Sequence, residues 1–282
     1  MSATSAGTPR INRYVALGDS FTEGVGDDDP TRPNGVRGWA DRVASALAGI
    51  DADIGYANLA IRGRLMDGVV DEQLPRALSL RPDLVTISAG GNDILRPSVD
   101  LDAIVARYAD MVAALRDNGA RVLVFTAFDG TWNPIYRMLR GRMAIYNELI
   151  REFADDLGVE LVDFWRMDHF ADPRLWSWDR LHLSPAGHER MAFEVLRVLG
   201  LEHTLRLPPL PPAESLTDSE RRTADLRWTK DFLAPWVLRR ITGTSSGDCM
   251  EPKYPAYVDV GELGHGASES VRGLPVEQPS VL

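Results

Sequence analysis

Tyr14-Val15-Ala16-Leu17-Gly18-Asp19-Ser20 decides how this chain is read. An apolar run gives way to Gly, Asp and Ser, the residues of a tight turn at the end of a buried strand. Its apolar residues do not alternate with polar ones, so both faces of the expected strand are covered, as in a parallel sheet. Working outward, the strand-like runs are Tyr14–Leu17, Ile54–Leu59, Leu84–Ser88, Val122–Phe128 and Val159–Asp163. Longer segments with helical spacing separate them. In one, Leu101, Ile104, Val105, Tyr108, Val112 and Leu115 share a face that stops at Asn118-Gly119. Such alternation predicts an α/β fold with helices on both faces of an open parallel sheet.

The expected architecture is a three-layer α/β/α sandwich with a five-stranded parallel sheet and flavodoxin-like layering. Sites in such sheets form at the carboxyl ends of the strands. Ser20, Gly63 and Asn92 each follow an expected strand closely, so they should gather on one rim. The last helix of this domain starts at Ser184-Pro185, with Ser as N-cap and Pro in the first turn. Ala192, Val195, Leu196 and Leu199 give it a buried face.

Residues 1–10 are small and polar and read as a flexible N-terminus, residues 11–207 as the α/β domain. From 208 to 282 the chain reads as an extension. Pro208-Pro209-Leu210-Pro211-Pro212 is a stiff linker. One helix over Ser219–Ile241 follows, with Leu226, Phe232, Leu233, Trp236, Val237 and Ile241 apolar and Pro235 as a break. A loosely ordered Gly/Ser/Pro-rich tail ends it. Phe232, Leu233 and Trp236 are expected to dock on the α/β domain.

Composition narrows the class. The chain has 282 residues, 44% hydrophobic and 26% charged, as in soluble globular proteins. A net charge of −10 disfavours nucleic acid and anionic membrane as partners. Cys249 is the single cysteine, so no disulfide framework exists and an oxidising compartment is not required. No apolar stretch reads as a signal peptide or membrane span, and the expected location is cytoplasmic.

Asp179-Arg180-Leu181-His182 supplies a carboxylate and an imidazole three positions apart. With Ser20 they make a nucleophile, a base and an orienting acid, the minimum for acyl transfer through a serine ester. No Gly-x-Ser-x-Gly elbow surrounds Ser20, which argues against the α/β-hydrolase fold.

From about Arg13 to Leu199 the chain resembles the SGNH (GDSL-type) hydrolases. Gly18-Asp19-Ser20-Phe21-Thr22-Glu23-Gly24, Asn58-Leu59-Ala60-Ile61-Arg62-Gly63, Gly90-Gly91-Asn92-Asp93 and Asp179-Arg180-Leu181-His182, with Gly187-His188 behind, follow the family's order. The resemblance implies Ser20 as nucleophile, His182 as base and Asp179 as the group orienting the imidazolium. It implies an oxyanion hole from the backbone N–H groups of Ser20 and Gly63 and the side chain of Asn92. Glycine at 63 suits a close approach to the backbone, and an asparagine amide is a neutral donor.

Other residues read as structural. Asp19 is expected to hold the turn before Ser20, Asp93 to cap a helix, and His188 and His169 to pack. Asp27-Asp28-Asp29 reads as a solvated loop, and no metal or cofactor is expected. Gly90-Gly91 lacks the residues of a phosphate loop. Trp132, Trp176 and Trp178 either line an acyl pocket or pack the loop carrying Asp179. Arg62, Arg64 and Arg96 flank the expected oxyanion donors. The expected reaction is hydrolysis of small acyl esters or acetylated carbohydrates, the partner being the small-molecule ester. The same residues would serve an acyltransferase, in which a sugar or other alcohol replaces water. A reading of another class is a non-catalytic module whose C-terminal tail recruits a partner.

Overall fold

The computed structural model describes residues 10–131, 133–210, 212–213, 217–235, 238 and 245–264. Its sheet contains β1 (Arg13–Gly18), β2 (Gly55–Asn58), β3 (Leu84–Ser88), β4 (Arg121–Phe125), β5 (Glu160–Val162) and β6 (Tyr254–Asp259), in the order β5-β4-β3-β1-β2-β6. The first five strands pair in parallel, as expected. The five-stranded expectation is corrected by β6, which pairs antiparallel with β2 and comes from the stretch read as a loose tail. Pro255 is tolerated there because β6 is an edge strand.

β1 shows how the sequence builds the layers. Tyr14 and Ala16 face one core, whereas Val15 and Leu17 face the other. The first core is closed by α1 (Gly38–Ala48), which contributes Trp39, Val43 and Leu47, and by α4 (Pro185–Val198), which adds Met191, Val195 and Leu196. The second is closed by α2 (Leu101–Asp117), through Tyr108, Val112 and Leu115, and by α3 (Pro134–Leu157), through Tyr146, Ile150 and Phe153. Two buried faces explain why the strands read as unbroken apolar runs.

β2 lies on one side of β1 and β3 on the other, so the chain reverses its direction of winding between β1 and β3. Ligand crevices in open α/β sheets form outside the strand ends at such a reversal. Ser20 leaves β1 there, and Asn92 follows β3. Among the described residues no helix is long and apolar enough to cross a membrane.

In the extension, α5 (Asp218–Trp228) widens into a π-helical turn over Thr229–Leu233, immediately before Pro235. The Ala234 N–H bonds the Thr229 carbonyl five residues back, Pro235 contributes no N–H to the ladder, and Ala234, Pro235 and Leu238 are again α-helical. Trp236, Val237 and Ile241 of the expected longer helix lie outside the described residues, as do residues 1–9 of the expected N-terminal arm.

Candidate active site

The turn after β1 is held by two side chains, Gln73 and Asp19, and by a glycine. Gln73 accepts from the Gly18 N–H at 2.9 Å and donates to the Gly18 carbonyl at 2.8 Å, prolonging the sheet's bonding where β1 ends. Gly18 has φ 139°, and a Cβ there would meet the Ser88 carbonyl oxygen at 2.1 Å, so only glycine fits. Asp19 caps the short helix Ser20–Glu23, accepting from the Phe21 N–H at 3.1 Å, which leaves Ser20 at the helix start. Asp19 therefore holds this turn as expected.

The Asp179-to-His182 loop brings the second half of the site to Ser20. His182 Nε2 lies 3.0 Å from Ser20 Oγ, and its Nδ1 lies 2.6 Å from Asp179 Oδ2. Asp179 Oδ1 accepts from the Leu181 and His182 N–H groups at 2.9 and 3.0 Å. Burial pushes the Asp179 carboxyl up, but bonding to His182 and these amides outweighs it and holds the group below the usual carboxylate range. An acid kept ionised beside Nδ1 fixes the tautomer whose bare Nε2 can take the serine proton. The loop is anchored at its far end by α4, where Ser184 Oγ accepts from the Gly187 N–H and Pro185 opens the helix.

Ser20, Gly63, Asn92 and His182 line one cavity of about 470 Å³. Gly63 has φ 78° and lies against Ser245, whose hydroxyl sits where a Cβ would project. Asn92 donates its amide to Asp19 Oδ2 at 2.9 Å and to the Arg64 carbonyl at 3.1 Å. Phe125, Phe128, Tyr136, Phe164 and Trp176 form the apolar wall, joined by Phe232, while Arg62, Arg64, Ser245, Ser246 and Asp248 make a polar one.

The tryptophans divide. Trp176 lines the cavity and also holds the loop, its indole N–H donating to the Phe170 carbonyl at 2.7 Å. Trp178 is corrected: it is 67% exposed, does not line the cavity, and meets the Phe232 ring edge-on at 5.9 Å. Trp132 lies outside the described residues.

Asp93 does not cap its own helix; its buried carboxylate accepts from the Met66 N–H at 3.0 Å, and burial pushes its pKa up to about 6. His188 is fully buried, with Nδ1 accepting from Trp39 N–H at 3.1 Å and Nε2–H donating to the Val25 carbonyl at 3.1 Å. Asp27 departs from the solvated loop expected for it: it is buried, paired with Arg42, and accepts from the Gly38 N–H. Among the described residues no group of three or more His, Cys, Asp or Glu side chains is placed to hold a metal.

Sequence reasoning missed Gln73 and Glu23. Buried Glu23 accepts from the Arg62 backbone N–H at 2.7 Å and pairs with its guanidinium, so the turn leading to Gly63 is tied to the helix carrying Ser20. An acid three residues after the serine is visible in sequence, but its arginine partner is not. Arg62 is thereby neutralised, and Arg64 pairs with Glu72.

The model of the GDSL-like lipase/acylhydrolase family matches residues 16–190. This chain belongs to that family. It is an ester-cleaving enzyme of the GDSL/SGNH type, on the fold the sequence predicted. Among curated proteins, it is 26% identical over 212 residues to an acetylxylan esterase of Geobacillus stearothermophilus, covering 67% of this chain and 94% of the relative. A solved catalytic mutant of that organism's acetylxylan esterase Axe2 superposes with a TM-score of 0.58 at 23% identity, covering 68% of this chain and 95% of that one. LAE5, described as an alpha/beta hydrolase enzyme from the metagenome of Lake Arreo, gives 0.56 at 22% identity over 67% and 95% of the two chains. The psychrotrophic esterase EstA from Pseudoalteromonas sp. gives 0.53 at 18%, over 67% and 97%. The extension from 208 onward lies past the family match.

Proposed function

We propose that the enzyme hydrolyses small carboxylic esters, acetylated carbohydrates among them, through an acyl-enzyme on Ser20. The observation that carries this is the unbroken chain from Ser20 Oγ to His182 Nε2 at 3.0 Å and from Nδ1 to Asp179 at 2.6 Å. His182 takes the serine proton as Oγ attacks the ester carbonyl, then returns it to the leaving alcohol. Water, deprotonated by the same imidazole, cleaves the acyl-enzyme. The Ser20 and Gly63 backbone N–H groups receive the oxyanion, joined by the Asn92 amide once one of its two N–H groups turns to it from Asp19 Oδ2 or the Arg64 carbonyl. Acetylated carbohydrates are included because an acetylxylan esterase is a relative, and because the cavity's polar wall offers hydroxyl and carboxylate partners for a sugar.

The test is turnover of p-nitrophenyl esters from acetate to laurate, and of acetylated xylo-oligosaccharides, with Ser20→Ala alongside. Ser20→Ala should lower kcat by about four orders of magnitude or more, leaving the fold intact. Turnover that survives this substitution would remove Ser20 from the mechanism. Ser20-dependent transfer to an added alcohol in preference to water would make the enzyme an acyltransferase.

A further inference from the structure

The loop carrying Asp179 and His182 is gripped from outside by α5, beyond the family match. The Trp228 indole N–H donates to the Asp179 carbonyl oxygen at 2.7 Å. The next residue, Arg180, has φ 57°, a left-handed conformation that costs a non-glycine residue about 1–2 kcal/mol. Surroundings must hold such a residue in place. The Arg180 guanidinium lies over the Trp228 ring, 5.1 Å from its centre, and pairs with Asp225 at 2.8 Å. Three consecutive loop residues, Trp178, Asp179 and Arg180, thus each meet a residue of α5 or the turn that follows it. The helix itself has no fully buried residue, so its own core does not explain this arrangement.

We propose that Trp228 is a positioning residue: by fixing the peptide between Asp179 and Arg180, it sets the aim of the His182 imidazole at Ser20. The inference rests on the Ser20–His182–Asp179 reading above. Asp179 bonds the loop's amides with one carboxylate oxygen and His182 with the other, so any rotation of its backbone is passed to the imidazole. Misplacing a catalytic group by about 1 Å can cost about 10²-fold in rate.

Trp228→Phe keeps an aromatic ring beside Arg180 and removes the indole N–H together with part of the ring. Its kcat on p-nitrophenyl acetate should fall about tenfold, the equivalent of one neutral hydrogen bond, with KM within about twofold of wild type. The second-order rate of Ser20 phosphonylation by a fluorophosphonate should fall in parallel. That rate reports nucleophile activation without ester binding, and a merely structural tryptophan would leave it unmoved. Asp225→Asn, on the exposed helix surface, should lower the same rate more weakly by loosening Arg180. An unchanged phosphonylation rate in Trp228→Phe overturns the proposal, as does a raised KM with kcat kept. If Trp228→Phe does not fold, an unchanged rate in Asp225→Asn overturns it instead. Wild-type enzyme that resists labelling, or Ser20→Ala that accepts it, would instead sink the triad reading itself.

Discussion

Each oxygen of the Asp19 carboxylate has its own partner: Oδ1 takes the Phe21 N–H, which fixes the turn bearing Ser20, and Oδ2 takes the Asn92 amide from across the sheet. One side chain therefore sets the distance between the proposed nucleophile and a proposed oxyanion donor. Asp19→Asn cannot offer both an acceptor, because one of its two atoms becomes NH2. Its kcat should fall about 10–100-fold with little change in melting temperature, measured on a short-chain p-nitrophenyl ester. Wild-type kcat in this variant would show that the bridge is not needed. Asn92→Ala removes the donor itself and should lower kcat by about 10²–10³-fold, the usual effect of losing an oxyanion-hole group. The structural role of Asp19 was legible from turn chemistry alone, since Asp after Gly and before Ser favours a capped turn. Its bond to Asn92 was not, because that needs the β1–β3 pairing.

At the level of elements, an unalternated apolar run marks a strand well where it is buried on both faces and less well at its ends. Val122–Phe128 overran β4, which stops at Phe125. Beyond it the backbone turns away: the Ala127 N–H goes to the Asn147 side chain instead of a neighbouring strand. α5 begins one residue before the expected helix, at a capping box of Thr217 and Glu220 that the sequence displays openly. What the sequence could not display is its seat on the Asp179 loop, because Trp228 and Asp179 meet only in the fold.

α4 makes a prediction of its own through His188. Burial pushes its pKa down to about 4, against about 6.5 for an exposed imidazole. Between these values the unfolded chain binds a proton that the folded protein does not, so stability rises with pH through the window and is lost on acidification. At about 1.4 kcal/mol per pH unit, the loss from pH 7 to pH 4 comes to about 3 kcal/mol. His188→Gln keeps a donor for Val25 and does not titrate. Urea unfolding across pH 4–7 should show a shallower decline in the variant than in wild type. Asp93 titrates in the same range with the opposite sign, and comparison of the two proteins cancels it. Parallel curves would show that His188 does not contribute.

On the scale of the whole molecule, the extension completes the sheet as well as bordering the cavity. Five strands and both cores follow from local patterning, whereas β6 lies about 200 residues from its partner β2 in sequence and carries a proline, so nothing local announced it. Lys253, just before β6, enters the protein fully buried. Its Nζ donates to both Asp41 oxygens at 3.0 Å and to the Glu23 and Arg37 carbonyls. Burial pushes Lys253 down and Asp41 up, and their contact opposes both shifts. Removing one partner of such a pair strands the other charge, at a cost of about 3–5 kcal/mol, whereas replacing both is much milder. Lys253→Met should therefore destabilise the protein by about that amount in urea unfolding, and adding Asp41→Asn should recover part of it. The single variant should also lose activity well below its melting temperature. The carbonyl that Lys253 holds belongs to Glu23, whose carboxylate grips Arg62 beside Gly63. Stability within about 1 kcal/mol of wild type in Lys253→Met would mean that the extension is not fastened by this pair. The extension would then be fastened by its other contacts, α5 at the Asp179 loop and the pairing of β6 with β2 among them.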